Sequence, residues 1–576
     1  MRLSSPIRRL RVALLLFGCV LTIFCGRLVQ LQTVDAAAYA TQAKQQRLRT
    51  IALPAPRGDV TGAHGHTLAT TVDARDIYAD PTLVDDGQAT AEKLGPLLDI
   101  PAKQIEEQLR TPGRYVVLKR QVSPKLARRV LSLDLPGIGA QPDSKRVYPN
   151  GKLAANLLGF VGRDGHGLAG LEHGLDGVLS GRDGKETVQI GAHGQRIPMS
   201  EHELRKPEPG RDVRLTIDRD IQWKAQRAIA RQVRATRAES GTAIVMDPKT
   251  GKVLAMAAAP TYNPNHPEDY PDSVRGNPPL QDVYEPGSTN KVITMAAALE
   301  DTRLTPRSPI TVPPILYRGG EAFHDAESHG VWHLTLAGVL AKSSNIGTIL
   351  VSEKVGVHGL YRYLRSFGFG RETAIRFPGE SGGLLPPLKD WHATRRYTVP
   401  FGQGVSVTAT QMASVYATIA NDGVRVDPTL VAGTSDEAEA GGGEDFVPHP
   451  PPGDHRVVSA KTANQLTAML EEVTTDEGTA PAAEIPGYLV AGKTGTADRV
   501  DPDCGCYRGY TASFVGFAPA KDPRLLVEVV LQDPIRGHYG GQVAAPVFQD
   551  VMSFALQSLG VPPTGGKPPK LPLFAK

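Results

Sequence analysis

Cysteine is scarce in this 576-residue chain, which has only four. Cys19 and Cys25 lie inside an apolar run, which leaves Cys504 and Cys506 as the pair available for chemistry. A structural zinc takes about four ligands at wider spacing than Cys-Gly-Cys, and no second pair stands nearby, so a metal site is not expected. The pair reads either as a disulfide bracing its loop or as two free thiols. Excess charge of one sign is also missing: 64 Lys and Arg oppose 60 Asp and Glu, a net of +4. So small and dispersed a surplus argues against nucleic acid as a partner, though it suits an anionic lipid surface. Long hydrophobic runs are absent after the first 31 residues. What remains is ordinary globular material, 40% hydrophobic and 22% charged, with length for two or three domains.

The one apolar run extends from Val12 to Gly26 and is prolonged by Leu28, Val29 and Leu31 around Arg27 and Gln30. As a helix, residues 12–31 span about 30 Å, one hydrocarbon core. Arg2, Arg8, Arg9 and Arg11 precede it, which predicts a cytoplasmic N-terminus. The competing reading is a cleaved signal peptide, because Ala36-Ala37-Ala38 offers a small-residue cleavage site. That site lies farther beyond the apolar run than cleavage normally allows, and Arg27 sits where a long side chain can snorkel to the interface. An uncleaved single-pass anchor is therefore expected.

Chemistry concentrates downstream. Ser288 and Lys291 form the only Ser-x-x-Lys in the chain, within Tyr284-Glu285-Pro286-Gly287-Ser288-Thr289-Asn290-Lys291. About two such pairs arise by chance at this length, so context decides. Pro286-Gly287 breaks the preceding segment and residues 292–299 read as a buried helix beginning near the serine. Spacing of three puts both groups on one helical face. There the partial positive charge of the helix start disfavours an ammonium, which predicts a neutral Lys291 able to take the Ser288 proton. Ser343-Ser344-Asn345 and Lys493-Thr494-Gly495-Thr496 follow in order. Lys249-Thr250-Gly251 is a second Lys-Thr-Gly, but it sits in a turn between two short apolar runs and reads as a hairpin tip. Lys493 instead enters a strand, where Gly495 is expected to admit a substrate backbone.

The three motifs together resemble the penicillin-recognising serine acyltransferases. The phrases Tyr284 to Lys291, Ser343 to Gly347 and Ala491 to Ala497 look like class B penicillin-binding proteins of the division-specific, FtsI type. Tyr539-Gly540-Gly541, residues 512–519, residues 544–548 and Phe401-Gly402-Gln403-Gly404 extend the resemblance over roughly residues 50 to 560. It implies an α/β transpeptidase domain with an antiparallel five-stranded sheet flanked by helices, the fold of the penicillin-binding and serine β-lactamase-like proteins. An N-terminal α+β pedestal, or dimerisation, domain and one transmembrane helix precede it. The expected organisation is a cytoplasmic tail over 1–11, the anchor over 12–31, the pedestal over 32–210, the transpeptidase over 211–560 and a flexible tail over 561–576. Residues 434–454, with Gly441-Gly442-Gly443 and Pro450-Pro451-Pro452, read as a flexible loop within the transpeptidase.

The resemblance implies roles for the same residues. Ser288 is the acylated nucleophile, Lys291 its base, Ser343 a proton relay and Lys493 the cation that binds a carboxylate and keeps Lys291 deprotonated. Asn345 binds the acyl-side amide, Thr494, Gly495 and Thr496 hold the substrate carboxylate and backbone, and the Ser288 and Thr496 N–H groups form an oxyanion hole. No cofactor is implied. Arg57-Gly58-Asp59, Arg146-Val147-Tyr148-Pro149 and residues 167–172 resemble the pedestal motifs, with Arg57 and Glu172 a candidate ion pair. No glycosyltransferase signature of the bifunctional class A is present.

The implied activity is peptidoglycan D,D-transpeptidation at the septum, cross-linking pentapeptide stems, with penicillins acylating the same serine. Implied partners are the stems, β-lactams, the membrane, a polytopic glycosyltransferase and other division proteins. The alternatives are a D,D-carboxypeptidase or β-lactamase of the same fold, which releases the acyl group to water, and a non-catalytic division scaffold. Intact Ser288, Lys291, Ser343 and Lys493 weigh against the scaffold.

Overall fold

A computed structural model describes residues 6–37, 41, 48–189, 203–434, 455–501, 504–566 and 570–575. The expected loop over 434–454 lies almost entirely outside them. Helix α1 (Pro6–Val29) covers the apolar run and buries none of its side chains, as a helix with an all-round apolar surface does when its partner is lipid. It is the one helix among the described residues long and apolar enough to cross a membrane.

The chain folds into two compact units, each assembled from separate stretches of sequence. The first holds residues 1–56, 73–144 and 181–209. In it, strands Leu48–Leu53, Gly184–Gln189 and Glu203–Arg205 pair antiparallel. Helices Gly87–Leu98 and Ala102–Leu109 bury Leu94, Leu98 and Ile105 with Ile77 and Leu118.

The second unit holds residues 57–72, 145–180 and 210–576. Its centre is a five-stranded antiparallel sheet built from β1 (Ser240–Met246), β2 (Val253–Ala259), β3 (Ala491–Asp501), β4 (Cys506–Ala518) and β5 (Leu525–Gln532), in the order β2-β1-β5-β4-β3. Side chains alternate across a strand, so each strand feeds two cores. Ile244, Met246, Val515, Phe517, Leu526 and Val530 enter the core on one face. Ala243, Val245, Phe514, Val527, Val529 and Leu531 enter the core on the other. A sheet covered on both sides needs helices on both sides. Helix α2 (Arg219–Thr236) starts at Asp218, whose carboxylate accepts from the amides of Asp220 and Ile221 at 2.9 Å each, and buries Ile221, Ala225 and Ile229 in the second core. Helix α3 (Lys291–Asp301) is buried almost throughout in the first core. Helix α4 (Asn345–Val355) and helix α5 (Ala409–Ala420) join it there. Helix α6 (Ala545–Ser558) closes the second, where Phe548 meets Phe514 edge-on at 4.7 Å, a geometry worth about 1 kcal/mol beyond the area it buries.

Two expectations are decided by these contacts. Arg57 and Glu172 do pair, at 2.6 Å, inside a buried cluster in which Arg146 also bonds Glu172 at 2.8 Å and Arg57 reaches Asp176 at 2.6 Å. One carboxylate shared by two guanidiniums explains how arginines are accommodated in a desolvated site. The segment 561–576, expected as a flexible tail, docks through its described residues 570–575. Leu573 O accepts from Thr335 N at 2.9 Å and Ala575 N donates to His333 O at 2.8 Å, so the tail adds strand-like pairing to an exposed edge and buries Leu573.

Candidate active site

Pro286 ends the chain's approach and Gly287–Asn290 form a single 3-10 turn that runs straight into α3. Both Gly287 and Gly402 sit at positive φ, 53° and 87°. Gly287 N donates to Gly402 O at 3.0 Å, and a Cβ on Gly402 would lie 2.2 Å from Gly287 O. Only glycine at 402 lets the two segments touch. Asn290 Nδ2 donates to Val399 O at 2.8 Å, Thr294 Oγ1 to Pro400 O at 2.8 Å, and Tyr416 of α5 to Thr289 O at 2.9 Å. The turn is thereby bolted from three sides. Ser288 rides on it half-buried, with no hydrogen-bond partner for its hydroxyl among the described residues.

Lys291 is fully buried one step further on. Its Nζ donates to Ser343 O and to Asn345 Oδ1 at 2.7 Å, and lies 3.3 Å from Ser343 Oγ. Lys493, equally buried on β3, donates to the same Ser343 Oγ at 3.0 Å and to Thr494 O and Oγ1 at 3.1 Å. One hydroxyl therefore stands between two amines. Ser343 reaches that point with φ at 58°, a left-handed conformation that costs a residue with a Cβ about 1–3 kcal/mol and is held here by its neighbours. Thr494 Oγ1 meets Thr479 Oγ1 at 2.9 Å, and Thr496 Oγ1 accepts from Gly540 N at 3.1 Å.

Burial is the first cause that lowers Lys291, to about 7, with the Asp325 carboxylate pulling the other way. The expected cause was the helix start; desolvation outweighs it, because an ammonium without water loses far more than a terminal dipole can add. Lys493 is pushed well below its ordinary range, first by burial and then by the charge on Lys291. Two ammoniums cannot share so dry a site.

Gly495 is needed inside the fold as well. A Cβ there would fall 2.2 Å from Ser513 Oγ, and at 3.1 Å from Pro286 O and Thr289 Cγ2, so the close approach of the Ser288 turn to this strand requires the gap. A Cβ at Gly287 would meet Ala497 Cβ at 3.0 Å and Thr496 O at 3.2 Å, which sets the Ser288 turn alongside the Thr496 peptide.

The structure brings Lys291, Ser343, Asn345, Lys493 and Thr494 into one hydrogen-bonded cluster, with the Ser288 turn and Thr496 beside it. Four residues around it were not singled out in the sequence. Glu285 is buried; its Oε1 accepts from Gly404 N at 2.9 Å and from Tyr507 OH at 3.1 Å. Burial raises its carboxyl. Tyr507 follows Cys504 and Cys506, which are joined as a disulfide with Cα atoms 5.2 Å apart, deciding between the two readings of that pair. Asp325 and His329 stand behind Asn345. None of these residues lies in a periodic segment, and the only signal was adjacency to a motif or an i, i+4 spacing inside a loop.

A hydroxyl on a helix start beside two buried amines is the kind of arrangement that serine-lysine acyl transfer requires. The family model of the penicillin binding protein transpeptidase domain matches residues 241–553, and that of the penicillin-binding protein dimerisation domain matches residues 52–215. The chain is 37% identical to penicillin-binding protein PbpB of Mycolicibacterium smegmatis, over 100% of this chain and 94% of the relative. It is 33% identical to peptidoglycan D,D-transpeptidase FtsI of Escherichia coli, over 95% of this chain and 92% of that one. Among solved structures, penicillin binding protein 3 of Mycobacterium tuberculosis complexed with aztreonam superposes with a TM-score of 0.70 at 34% identity, covering 91% of this chain and 100% of that one. The chain belongs to the class B penicillin-binding proteins, joining a dimerisation domain to a serine-type D,D-transpeptidase domain.

Proposed function

We propose that Ser288 attacks the penultimate D-alanine carbonyl of a peptidoglycan pentapeptide, expels the terminal D-alanine, and passes the acyl group to an amine on a neighbouring stem during septum formation. The observation that carries this reading is the pair of buried amines on Ser343 Oγ. Lys291 takes the Ser288 proton, Ser343 relays a proton towards the departing amine, and Lys493 with Thr494 and Thr496 holds the substrate carboxylate. Asn345 receives the acyl-side amide and Gly495 lets the substrate backbone approach the strand closely. Backbone N–H groups of Ser288 and Thr496 stabilise the oxyanion, each worth about 3 to 4 kcal/mol. The pedestal over 32–210 carries the transpeptidase over 211–560 on an anchor over 12–31, with the tail 1–11 in the cytoplasm, and recruits a polytopic glycosyltransferase and other division proteins.

The acyl-enzyme is expected to outlast hydrolysis. Glu285, the carboxylate nearest Ser288 along the chain, has Oε1 taken up by Gly404 N and Tyr507 OH and Oε2 buried away from solvent. Incubating the detergent-solubilised protein with a chromogenic β-lactam should release one equivalent of colour and then plateau. Sustained turnover within seconds would replace the transpeptidase by a hydrolase. For the anchor, the expected result is a protein that stays with membranes after a salt wash and keeps its original N-terminus; an N-terminus at Tyr39 would show a cleaved signal peptide.

A further inference from the structure

The loop between strands Glu321–Phe323 and Trp332–Thr335 holds two polar side chains, Asp325 and His329, that are only 4% and 3% exposed. Neither belongs to the three motifs. Asp325 Oδ1 accepts from the amides of Asn345 at 2.5 Å and Ile346 at 3.0 Å, and Oδ2 accepts from Ser344 Oγ at 2.7 Å. The carboxylate thus takes up the first free amides of α4, where the helix start favours negative charge. Ser344 Oγ in turn accepts from Gly347 N at 2.8 Å. The same loop holds the Asn345 side chain, since Nδ2 donates to His324 O at 3.3 Å while Oδ1 accepts from Lys291. Asn345 is gripped from both ends.

His329 completes the arrangement. Its ring stacks on Trp332 at 3.7 Å and 11°, with Nε2 at 3.0 Å from Asp325 Oδ2 and Nδ1 at 2.5 Å from Gly330 O. A carboxylate and a carbonyl only accept, so both ring nitrogens face acceptors and a ring carrying both protons would satisfy the two neighbours together. A carboxylate buried without such a partner is costly. From other elements, the titratable group facing the pair is Lys291 on α3, through Asn345, and Lys493 on β3 stands one hydroxyl beyond it, at Ser343 Oγ. His324, Glu327 and His333 on or beside the loop are exposed.

We propose that Asp325 and His329 are a positioning pair for acyl transfer: they lock the Ser343–Asn345 turn against Lys291 and, by cancelling most of each other's charge, leave that lysine able to act as a base. This rests on the reading of Ser288 as nucleophile and Lys291 as its base. Charge is the part that separates the pair from a simple helix cap. Asp325 is the one group whose charge pulls Lys291 upward, so Asp325→Asn removes that pull, whereas His329→Gln keeps a donor to Asp325 and strips away its counter-charge.

The test is the pH dependence of Ser288 acylation by penicillin, followed by mass spectrometry on the full chain in detergent. Both variants should acylate at least about tenfold more slowly, as general-base alignment is lost. The acid limb should move down by about half a pH unit or more in Asp325→Asn and up by a similar amount in His329→Gln. Limbs that stay in place, or move in the same direction, overturn the proposal whatever the rates. Rate constants come from molecules that label, so a partly unfolded preparation loses amplitude without moving the limb. Where Asp325→Asn does not fold, His329→Gln decides alone: an upward shift supports the pair and any other result overturns it. Failure of the unaltered protein to label at Ser288 is a separate outcome, which removes the nucleophile reading before any variant is compared.

Discussion

Ser288→Ala is expected to abolish covalent labelling by penicillin altogether while leaving the fold intact. The hydroxyl is half-buried on a 3-10 turn and makes no hydrogen bond among the described residues, so its loss removes no packing and strands no partner. Thermal unfolding should move by no more than about 0.5 kcal/mol, the range of substitutions away from cavities and networks. What disappears is the only atom placed to form the ester. Intact mass after exposure to penicillin reads both parts at once: no mass gain in the variant, one adduct on Ser288 in the unaltered chain. An adduct on any other residue of the unaltered chain would overturn the assignment.

Lys291→Ala is expected to slow acylation by at least about a thousandfold, the scale of losing one member of a concerted catalytic unit. In the unaltered protein the rate should rise with pH through about 7 and level off above it. The sign follows from burial: dehydration favours the neutral amine, the neutral amine is the base, and protonation below that value removes it. The variant should lose this limb as well as the rate. Lys493→Ala is expected to weaken recognition of the carboxylate in addition, showing as a higher penicillin concentration at half-saturation. Acylation rate constants across pH 5 to 9 separate the two. A Lys291→Ala protein that acylates at a comparable rate with the same limb would remove the lysine as base.

Much of the site was readable before any coordinates, for a local reason. Ser288 and Lys291 are three apart on one helical turn, Ser343 and Asn345 two apart at a helix start, and Lys493 to Thr496 contiguous on one strand. Short spacings of this kind survive as patterns because the backbone alone brings the side chains together. The anchor was readable for the same reason, as uninterrupted apolar composition over one bilayer thickness. Windows this short also carried the helix after Ser288, the hairpin around Lys249 and the strand that Lys493 enters, whereas the five-stranded sheet came only from the family resemblance.

Other features depend on neighbours that are distant in sequence, and local pattern does not encode them. The lowered proton affinity of Lys291 is such a case: a helix start was visible along the chain, but complete burial, which dominates, arises only when α3, the Ser343 turn and β3 close together. At Gly495 the sequence shows a missing side chain, but not that Ser513 and Pro286 occupy the space a side chain would need. Composition makes residues 570–575 look like a loose tail, yet Thr335 and His333 give them backbone partners far along the chain. Cys504 and Cys506 left two states open until their positions joined them. By itself the sequence determined the apolar N-terminal helix, the order of the motifs and the family they resemble, because those rest on composition and short-range spacing. Tertiary structure alone decided which lysine environment is dry, which carboxylate faces it and how the Asp325–His329 pair grips Asn345, because desolvation and charge pairing depend on everything packed around a group rather than on what precedes and follows it.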